Sequence, residues 1–249
     1  MSNYRYGRIK KLFIRTYRLF RPSVNSLYTK GPVEDICSII FVPCHKFAEF
    51  FENCIQVLKK ERGGAPWDYL EFGVFNGGSL SAMYEALRKG GISGVRLFGF
   101  DAFEGLPEES DKADAGVFEP GFYACSYPKL EECLRRRGIE PTEINWVKGW
   151  YNETLNKGLE SKYNLNPGPV FIDCDTYGST KTVLDFLAPL ITQPTIINLD
   201  DWRLYDLDLK GEGEYRAFNE FLEANPHLRA RELPTYKRNS RTFLVSVAN

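Results

Sequence analysis

The sequence lacks any apolar run close to the roughly 20 residues that a membrane-spanning helix requires. Its basic N-terminus also lacks the clean apolar stretch and small-residue cleavage site of a secretory signal, so we expect no signal peptide. The six cysteines form no CxxC pair and no regular framework, which argues against a zinc site and against disulfides. We therefore expect reduced, mostly buried thiols and a cytoplasmic protein.

Acidic residues are missing from the first 33 positions, which hold eight lysines and arginines. Because the whole chain has a net charge of −1, the remainder has a charge of about −9 and is unsuited to broad nucleic-acid binding. Apolar residues interleave with the basic ones between residues 4 and 21. This pattern predicts an amphipathic arm at 1–33 that packs on its own chain or on a sister subunit of a homo-oligomer. The alternative is peripheral contact of residues 4–21 with the inner face of a membrane.

From residue 44 onward, strand-like and helix-like segments alternate within one predicted domain at 34–249. Helices are predicted at 44–60, 79–88, 129–137, 152–163, 180–190 and 213–224. Strands are predicted at 69–74, 95–100, 144–147, 169–172 and 195–199, with two more at the end of the chain joined by the polar turn 237–240. The alternation predicts an α/β fold, with helices on both faces of a mostly parallel sheet. A seven-stranded sheet of this kind with a C-terminal antiparallel hairpin resembles the Rossmann-like class I methyltransferase fold.

A glycine-rich loop, EFGVFNGGS, follows the first of these strands, where open α/β sheets bind their ligands. Its GxxxGG spacing differs from the GxGxxG of dinucleotide sites, and the carboxylate of Glu71 would repel a pyrophosphate. An acidic loop suits S-adenosylmethionine, which has an ammonium and a sulfonium group and no phosphate. We expect Ser79 to cap the following helix and Asp101, which ends the second strand, to accept both ribose hydroxyls.

Acidic side chains also end two central strands. Asp173 ends one predicted strand, and Asp200 and Asp201 end the next, so all three converge at the same edge of the sheet. Carboxylates packed together raise each other's pKa unless a cation neutralises them, and an all-oxygen set suits Mg²⁺. Asp175 lies two residues beyond Asp173, and we predict it as the general base; Lys181 is the second candidate, although it also suits an exposed helix position. Asp173 is thus predicted both as a metal ligand and as part of the catalytic group.

Five motifs in order resemble those of the macrocin O-methyltransferase family: EFGVFNGGS, FGFDAFEGLPE, KGWYNETL, FIDCDTYGST and LDDW. The resemblance covers roughly residues 67–205. It implies a class I enzyme that depends on S-adenosylmethionine and a metal ion and methylates sugar hydroxyls of natural-product glycosides. It further implies that the cofactor is lined by Glu71, Gly73, Asn76, Gly77, Ser79 and Asp101, with Gly149 and Trp150 near its adenine side.

The acceptor is accordingly predicted to be a sugar-containing small molecule or a glycan. Six aromatic residues are candidates to frame its ring, although each also suits a core position: Phe103, Phe118, Phe122, Tyr123, Trp150 and Trp202. Two other functions remain open at this point. One is a module that binds S-adenosylmethionine without turnover, and the other is an NAD-dependent oxidoreductase on a similar sheet.

Overall fold

The structure is a computed structural model that describes residues 44–64, 66–108, 114, 116–118 and 120–248. The predicted arm at 1–33 lies outside the described residues, and so do the membrane and subunit contacts assigned to it. The residues from Cys44 onward form one compact unit. Within the described part of the chain, no helix has both the length and the apolar character needed to cross a membrane.

Seven strands form a single sheet in the order β3-β2-β1-β4-β5-β7-β6. Their bounds are β1 Asp68–Phe72, β2 Arg96–Asp101, β3 Ile144–Lys148, β4 Pro167–Ile172, β5 Thr195–Leu199, β6 Leu228–Leu233 and β7 Arg241–Val247. Strands β1 to β5 pair in parallel, whereas β7 pairs antiparallel with both β5 and β6. The predicted class I methyltransferase topology is therefore confirmed, including the antiparallel hairpin at the end.

The helices connect these strands and cover both faces of the sheet. Their bounds are α1 Cys44–Arg62, α2 Gly78–Lys89, α3 Tyr127–Arg136, α4 Tyr151–Thr154, α5 Lys157–Tyr163, α6 Tyr177–Leu187, α7 Leu207–Lys210 and α8 Gly213–Ala224. The helix predicted at 152–163 is divided in two, because Asn156 accepts hydrogen bonds from the N–H groups of Gly158 and Leu159 and so begins a new helix. The short helix α7 was not predicted.

Two apolar cores lie on opposite faces of the sheet, because successive side chains of a strand point in opposite directions. In β1, Tyr69 joins the core beneath α1 to α3, whereas Leu70 and Phe72 join the core beneath α6 and α8. All five residues of β1 are buried, as expected for a central parallel strand. The same alternation directs Glu71 into the first core beside Tyr69, so a carboxyl group lies within apolar surroundings.

Candidate active site

The candidate site lies at the carboxyl ends of β1, β2, β4 and β5. Backbone hydrogen bonds between neighbouring strands continue one residue beyond three of these ends, from Gly73 to Phe100 O, from Asp173 to Phe72 O and from Asp200 to Ile172 O, at 3.0, 2.8 and 3.0 Å. These bonds place Gly73, Asp173 and Asp200 side by side across the top of the sheet. The glycine loop and the acidic cluster therefore belong to one continuous site.

Gly73 is required by this close approach. Its φ is +85°, a backbone conformation that side chains disfavour, and a Cβ atom would lie 1.9 Å from the carbonyl oxygen of Asp173. Because that oxygen belongs to the backbone, it has little freedom to move aside. The glycine thus lets the loop after β1 lie directly against the end of β4.

Glu71 was predicted to face the cofactor, and its side chain is fully buried. One carboxylate oxygen accepts a hydrogen bond from the Tyr69 hydroxyl, and the other accepts one from the Ser79 hydroxyl at 2.8 Å. Burial raises the pKa of Glu71 to about 8 against these stabilising hydrogen bonds, so the group is largely protonated at neutral pH. These contacts favour an indirect role, in which Glu71 holds the start of α2 next to the glycine loop. Direct contact between Glu71 and a cofactor stays a prediction.

The expectation that Ser79 caps α2 is wrong. The helix begins at Gly78 and Gly77 is the residue before it, so Ser79 lies inside the first turn and its hydroxyl is committed to Glu71. Gly77 has a φ of +74°, and a Cβ atom there would lie 2.9 Å from Leu130 of α3. The neighbouring Asn76 is held from outside the loop, since its carbonyl oxygen accepts a hydrogen bond from the Arg137 guanidinium at 2.6 Å.

Asp101 ends β2 beside this loop, as predicted. One carboxylate oxygen accepts hydrogen bonds from the N–H groups of Val74 at 2.8 Å and Phe75 at 3.1 Å, and the other accepts one from Phe103 at 2.6 Å. Burial raises the pKa of Asp101, and these three N–H donors oppose the rise. The side chain therefore shapes the glycine loop through its backbone, and its contact with a ribose stays a prediction.

Gly149 and Trp150 follow β3, next to Asp101. The N–H of Gly149 donates to the Asp101 carbonyl oxygen at 3.1 Å, and its φ of +129° turns the chain away from the sheet. Trp150 then begins α4 with a half-buried side chain. Their predicted position near the adenine side of a cofactor stays a prediction.

The three aspartates predicted as metal ligands come together. Asp173, Asp200 and Asp201 each offer a carboxylate oxygen, and the three oxygen atoms lie within 4.8 Å of one another. Burial raises the pKa of Asp173 well above its ordinary value, and the charges of Asp200 and Asp201 raise it further. Burial also raises the pKa of Asp200. A set of three carboxylate oxygens fits the preference of Mg²⁺ for oxygen ligands, so these residues could hold that ion.

Asp175, the predicted base, lies against the same cluster. Its side chain is buried, and its φ of +62° is unusual for a residue with a Cβ atom. Burial raises its pKa well above the ordinary value, followed by the charge of Asp201 and a hydrogen bond to that carboxyl group. Strained backbone conformations concentrate at functional sites, and this one directs a fourth carboxyl group at the cluster.

Comparison with known proteins identifies the family. The profile of the family described as Macrocin-O-methyltransferase (TylF) matches residues 45–225, most of the chain. The chain belongs to the macrocin O-methyltransferase family. The resemblance inferred from the sequence motifs is thereby confirmed.

Two curated relatives of this macrocin O-methyltransferase family member are named as O-methyltransferases, and the acceptor named for the first contains a rhamnosyl group. The 8-demethyl-8-(2,3-dimethoxy-alpha-L-rhamnosyl)-tetracenomycin-C 4'-O-methyltransferase of Streptomyces olivaceus is 26% identical over 61% of this chain and 59% of the relative. The mycinamicin III 3''-O-methyltransferase of Micromonospora griseorubida is 22% identical over 61% of this chain and 60% of the relative. The chain thus spans about three fifths of the length of these relatives.

Solved structures support the fold. The O-methyltransferase NovP aligns with a TM-score of 0.63 at 19% identity, covering 81% of this chain and 80% of NovP. The calicheamicin methyltransferase CalS11 aligns with a TM-score of 0.62 at 23% identity, covering 90% of each chain. At these identities the likeness establishes the architecture and leaves the substrate open.

Two charged residues of the candidate site were not predicted from the sequence. Glu214, at the start of α8, is fully buried and accepts a hydrogen bond from the Asp201 N–H at 2.9 Å. Its other carboxylate oxygen, Oε1, has no hydrogen-bond partner among the described residues, and burial raises its pKa well above the ordinary value. Lys237 donates a hydrogen bond to Asp200 from the turn between β6 and β7.

A signal for Lys237 was present in the predicted topology. Because β7 runs antiparallel to β5, the turn before β7 must lie at the carboxyl end of β5, where Asp200 is located. A lysine in that turn is therefore within reach of the acidic cluster. Glu214 gives no comparable signal, since its approach depends on how α8 packs.

The described residues between β2 and α3 contact the elements that follow β4 and β5. Leu106 and Phe118 from this segment pack with Leu204 and Leu207, and the Asp114 carboxylate accepts a hydrogen bond from the N–H that begins α6, at Tyr177, at 2.7 Å. These contacts join the described part of this segment to α6 and to the chain after β5.

Three of the six aromatic candidates for the acceptor ring pack against other apolar side chains. Phe118 and Trp202 are buried in apolar clusters, and Phe103 packs on Tyr127. Tyr123 is different, because 41% of its surface is exposed. Lost hydration, followed by the charges of Asp175 and its neighbours, raises the pKa of Tyr123.

Proposed function

We propose that this protein is an S-adenosylmethionine-dependent O-methyltransferase that uses a divalent cation, Mg²⁺, and methylates a hydroxyl group of a sugar in a glycoside or glycan. The observation that supports this most strongly is the placement of the Asp173, Asp200 and Asp201 oxygens within 4.8 Å of one another, one strand from the glycine loop. Membership of the macrocin O-methyltransferase family and the sugar-bearing acceptors named for the relatives support the choice of reaction and acceptor.

Asp173, Asp200 and Asp201 are the residues that would hold the cation. A divalent ion bound there supplies Lewis acidity, which lowers the pKa of an acceptor hydroxyl. The chain contributes an all-oxygen donor set whose backbone is fixed by the strand ladder, so the carboxylates need little reorganisation.

The glycine loop is proposed to bind the methyl donor. Gly73, Asn76 and Gly77 line the loop, and Asp101 holds two of its N–H groups in place. Methyl transfer is an in-line displacement, so a rigid loop contributes by aligning the acceptor oxygen, methyl carbon and sulfur. The sulfonium charge disappears during the reaction, and a site with little water favours that change.

Asp175 is proposed as the base that receives the proton of the acceptor hydroxyl. A carboxyl group whose pKa is raised by burial is a stronger proton acceptor once ionised, and its position against Asp201 directs it to the same small volume. We also propose that the exposed ring of Tyr123 contacts the acceptor ring, because the charge of Asp175 reaches the Tyr123 hydroxyl and, after burial, raises its pKa.

The test is methyl transfer from radiolabelled S-adenosylmethionine to a panel of glycosides in the presence of Mg²⁺. Asp200→Asn should abolish transfer while calorimetric binding of S-adenosylmethionine survives. The matched control is Asp185→Asn, since Asp185 is an exposed aspartate of α6 paired with Lys181. Full activity of Asp200→Asn would refute the metal centre. Binding of NAD without binding of S-adenosylmethionine would refute the methyltransferase function altogether.

A further inference from the structure

Lys237 is placed unusually for a lysine in a hairpin turn. Its Nζ donates a hydrogen bond to Asp200 Oδ2 and forms an ion pair with that carboxylate. Its side chain is only 17% exposed, whereas lysine ammonium groups normally remain in water. The ammonium therefore belongs to the acidic cluster.

The turn that presents Lys237 is fixed on both sides. The Lys237 carbonyl oxygen accepts hydrogen bonds from the N–H and hydroxyl of Ser240, which is fully buried, at 3.3 and 3.2 Å. The carbonyl of Asn239 in the same turn accepts a hydrogen bond at 2.8 Å from the N–H of Arg203, two residues after Asp201. Such bonds tie the turn to the segment that follows the acidic pair.

The preceding residue, Tyr236, is anchored in the first core. Its ring lies 4.8 Å from the ring of Phe47, 5.0 Å from that of Phe50 and 5.9 Å from that of Phe171, measured between centroids. Because Tyr236 is packed in the core and the turn is held by hydrogen bonds, the backbone of Lys237 has few alternative positions. Its charge is consequently a fixed feature of the site.

Charge counting suggests what this ammonium does. The three aspartates contribute three negative charges when ionised, and a divalent cation offsets two of them. Lys237 offsets the third, so the three aspartates together are neutralised. In the absence of a divalent ion, the Lys237 ammonium already neutralises part of the negative charge. A divalent ion must therefore compete with this ammonium for the Asp200 carboxylate.

We propose that Lys237 is a positioning residue of the cation site, which holds Asp200 and sets the affinity for divalent cations by its fixed positive charge. The inference rests on the proposed function, since it assumes that Asp173, Asp200 and Asp201 bind a divalent ion. Like charges a few ångströms apart repel. Even at the permittivity of water, which gives the weakest repulsion, the effect of Lys237 on a divalent ion corresponds to about a tenfold loss of affinity. Removing the charge should therefore tighten divalent-ion binding.

The experiment is a Mn²⁺ titration of the full chain by calorimetry and by the Mn²⁺ electron paramagnetic resonance signal, at fixed pH and ionic strength. Lys237→Met removes both the charge and the hydrogen bond, Lys237→Gln removes the charge and keeps a donor, and Lys237→Arg keeps both. Arg238→Met is the matched control, because it removes one positive charge from an exposed position of the same turn. Thermal unfolding confirms that each variant is folded.

Lys237→Met and Lys237→Gln should bind Mn²⁺ about tenfold more tightly than the wild type, and Lys237→Arg and Arg238→Met should remain within about twofold of it. If one neutral variant does not fold, the other decides the result. Unchanged or weaker binding by the neutral variants, with normal binding by the wild type, overturns the role of Lys237 alone. No Mn²⁺ binding by any of the proteins overturns it together with the metal centre of the proposed function.

Discussion

Replacing Gly73 by alanine is the substitution whose consequence follows most directly from the site geometry. The new Cβ atom would lie 1.9 Å from the carbonyl oxygen and 2.7 Å from the carbonyl carbon of Asp173, and both atoms belong to the backbone. The chain would have to move β1 away from β4 or change φ from +85°. Either change separates the cofactor loop from the acidic cluster.

The loss of folding stability expected for Gly73→Ala has two parts. Holding alanine at a positive φ costs about 1 kcal/mol, and overpacking against atoms that cannot move adds about 1–3 kcal/mol. We therefore expect Gly73→Ala to lower the free energy of unfolding by about 2–4 kcal/mol, a large part of the roughly 5–15 kcal/mol that stabilises a typical domain. Affinity for S-adenosylmethionine should fall with it, because the displaced segment begins the cofactor loop.

Two control variants separate the contributions. Gly91 has a φ of +61° and nothing within 4 Å of a Cβ atom, so Gly91→Ala should cost only the backbone part, about 1 kcal/mol. Gly178 lies in α6, its φ is not positive, and nothing lies within 4 Å of a Cβ atom placed on it. Gly178→Ala should therefore leave the free energy of unfolding unchanged or increase it. Urea unfolding with a chelator present measures all three. If Gly73→Ala were no less stable than Gly91→Ala, the close approach of β1 to β4 would be wrong.

Three further predictions concern the same site and its supports. The raised pKa of Glu71, about 8 against an ordinary 4.5, means that the folded state holds a proton that the unfolded state releases, so its contribution to stability is lost as pH rises from about 4.5 to 8. Between these pH values the free energy of unfolding of Glu71→Gln should therefore fall by about 3–5 kcal/mol less than that of the wild type. Urea unfolding in the presence of a chelator measures both proteins, and parallel plots of unfolding free energy against pH would refute the prediction. Asp68→Asn should destabilise by about 2–3 kcal/mol, because the buried carboxylate accepts two 2.7 Å hydrogen bonds from Arg96, whereas the exposed-pair control Asp185→Asn should cost at most about 0.5 kcal/mol. Arg137→Met removes the 2.6 Å hydrogen bond to the cofactor-loop carbonyl and should weaken S-adenosylmethionine binding several-fold in calorimetry while the melting temperature stays nearly unchanged; unaltered affinity would show that this bond does not order the loop.

Much of the sheet could be predicted because its strands are buried on both faces and read as continuous apolar runs. The strand predicted at 195–199 has the observed bounds of β5, and the helix predicted at 213–224 has those of α8. Helix α7 was missed because four residues are too few to show a helical period. Helix α6 begins at Tyr177, three residues earlier than predicted, because the Thr176 hydroxyl accepts a hydrogen bond from the Ser179 N–H and so caps the helix there.

The convergence of Asp173, Asp200 and Asp201 was predictable for a geometric reason, since the carboxyl ends of neighbouring parallel strands meet at one edge of a sheet. The direction of Glu71 was harder to infer. Alternation in β1 already places Glu71 on the same side as Tyr69, but its burial also depends on the hydrogen bond from Ser79 in α2, which no local pattern shows. The approach of Glu214 to Asp201 depends on tertiary packing between segments and has no local pattern in the sequence.

The most direct measurement is anomalous diffraction from a crystal grown with Mn²⁺ and S-adenosylmethionine. We expect one strong manganese peak bonded to carboxylate oxygens of Asp173, Asp200 and Asp201 at about 2.0–2.2 Å, with the methyl donor lying along the glycine loop beside it. A manganese peak elsewhere, or a bound donor with no metal between these three aspartates, would contradict a cation-dependent methyl transfer at this edge of the sheet.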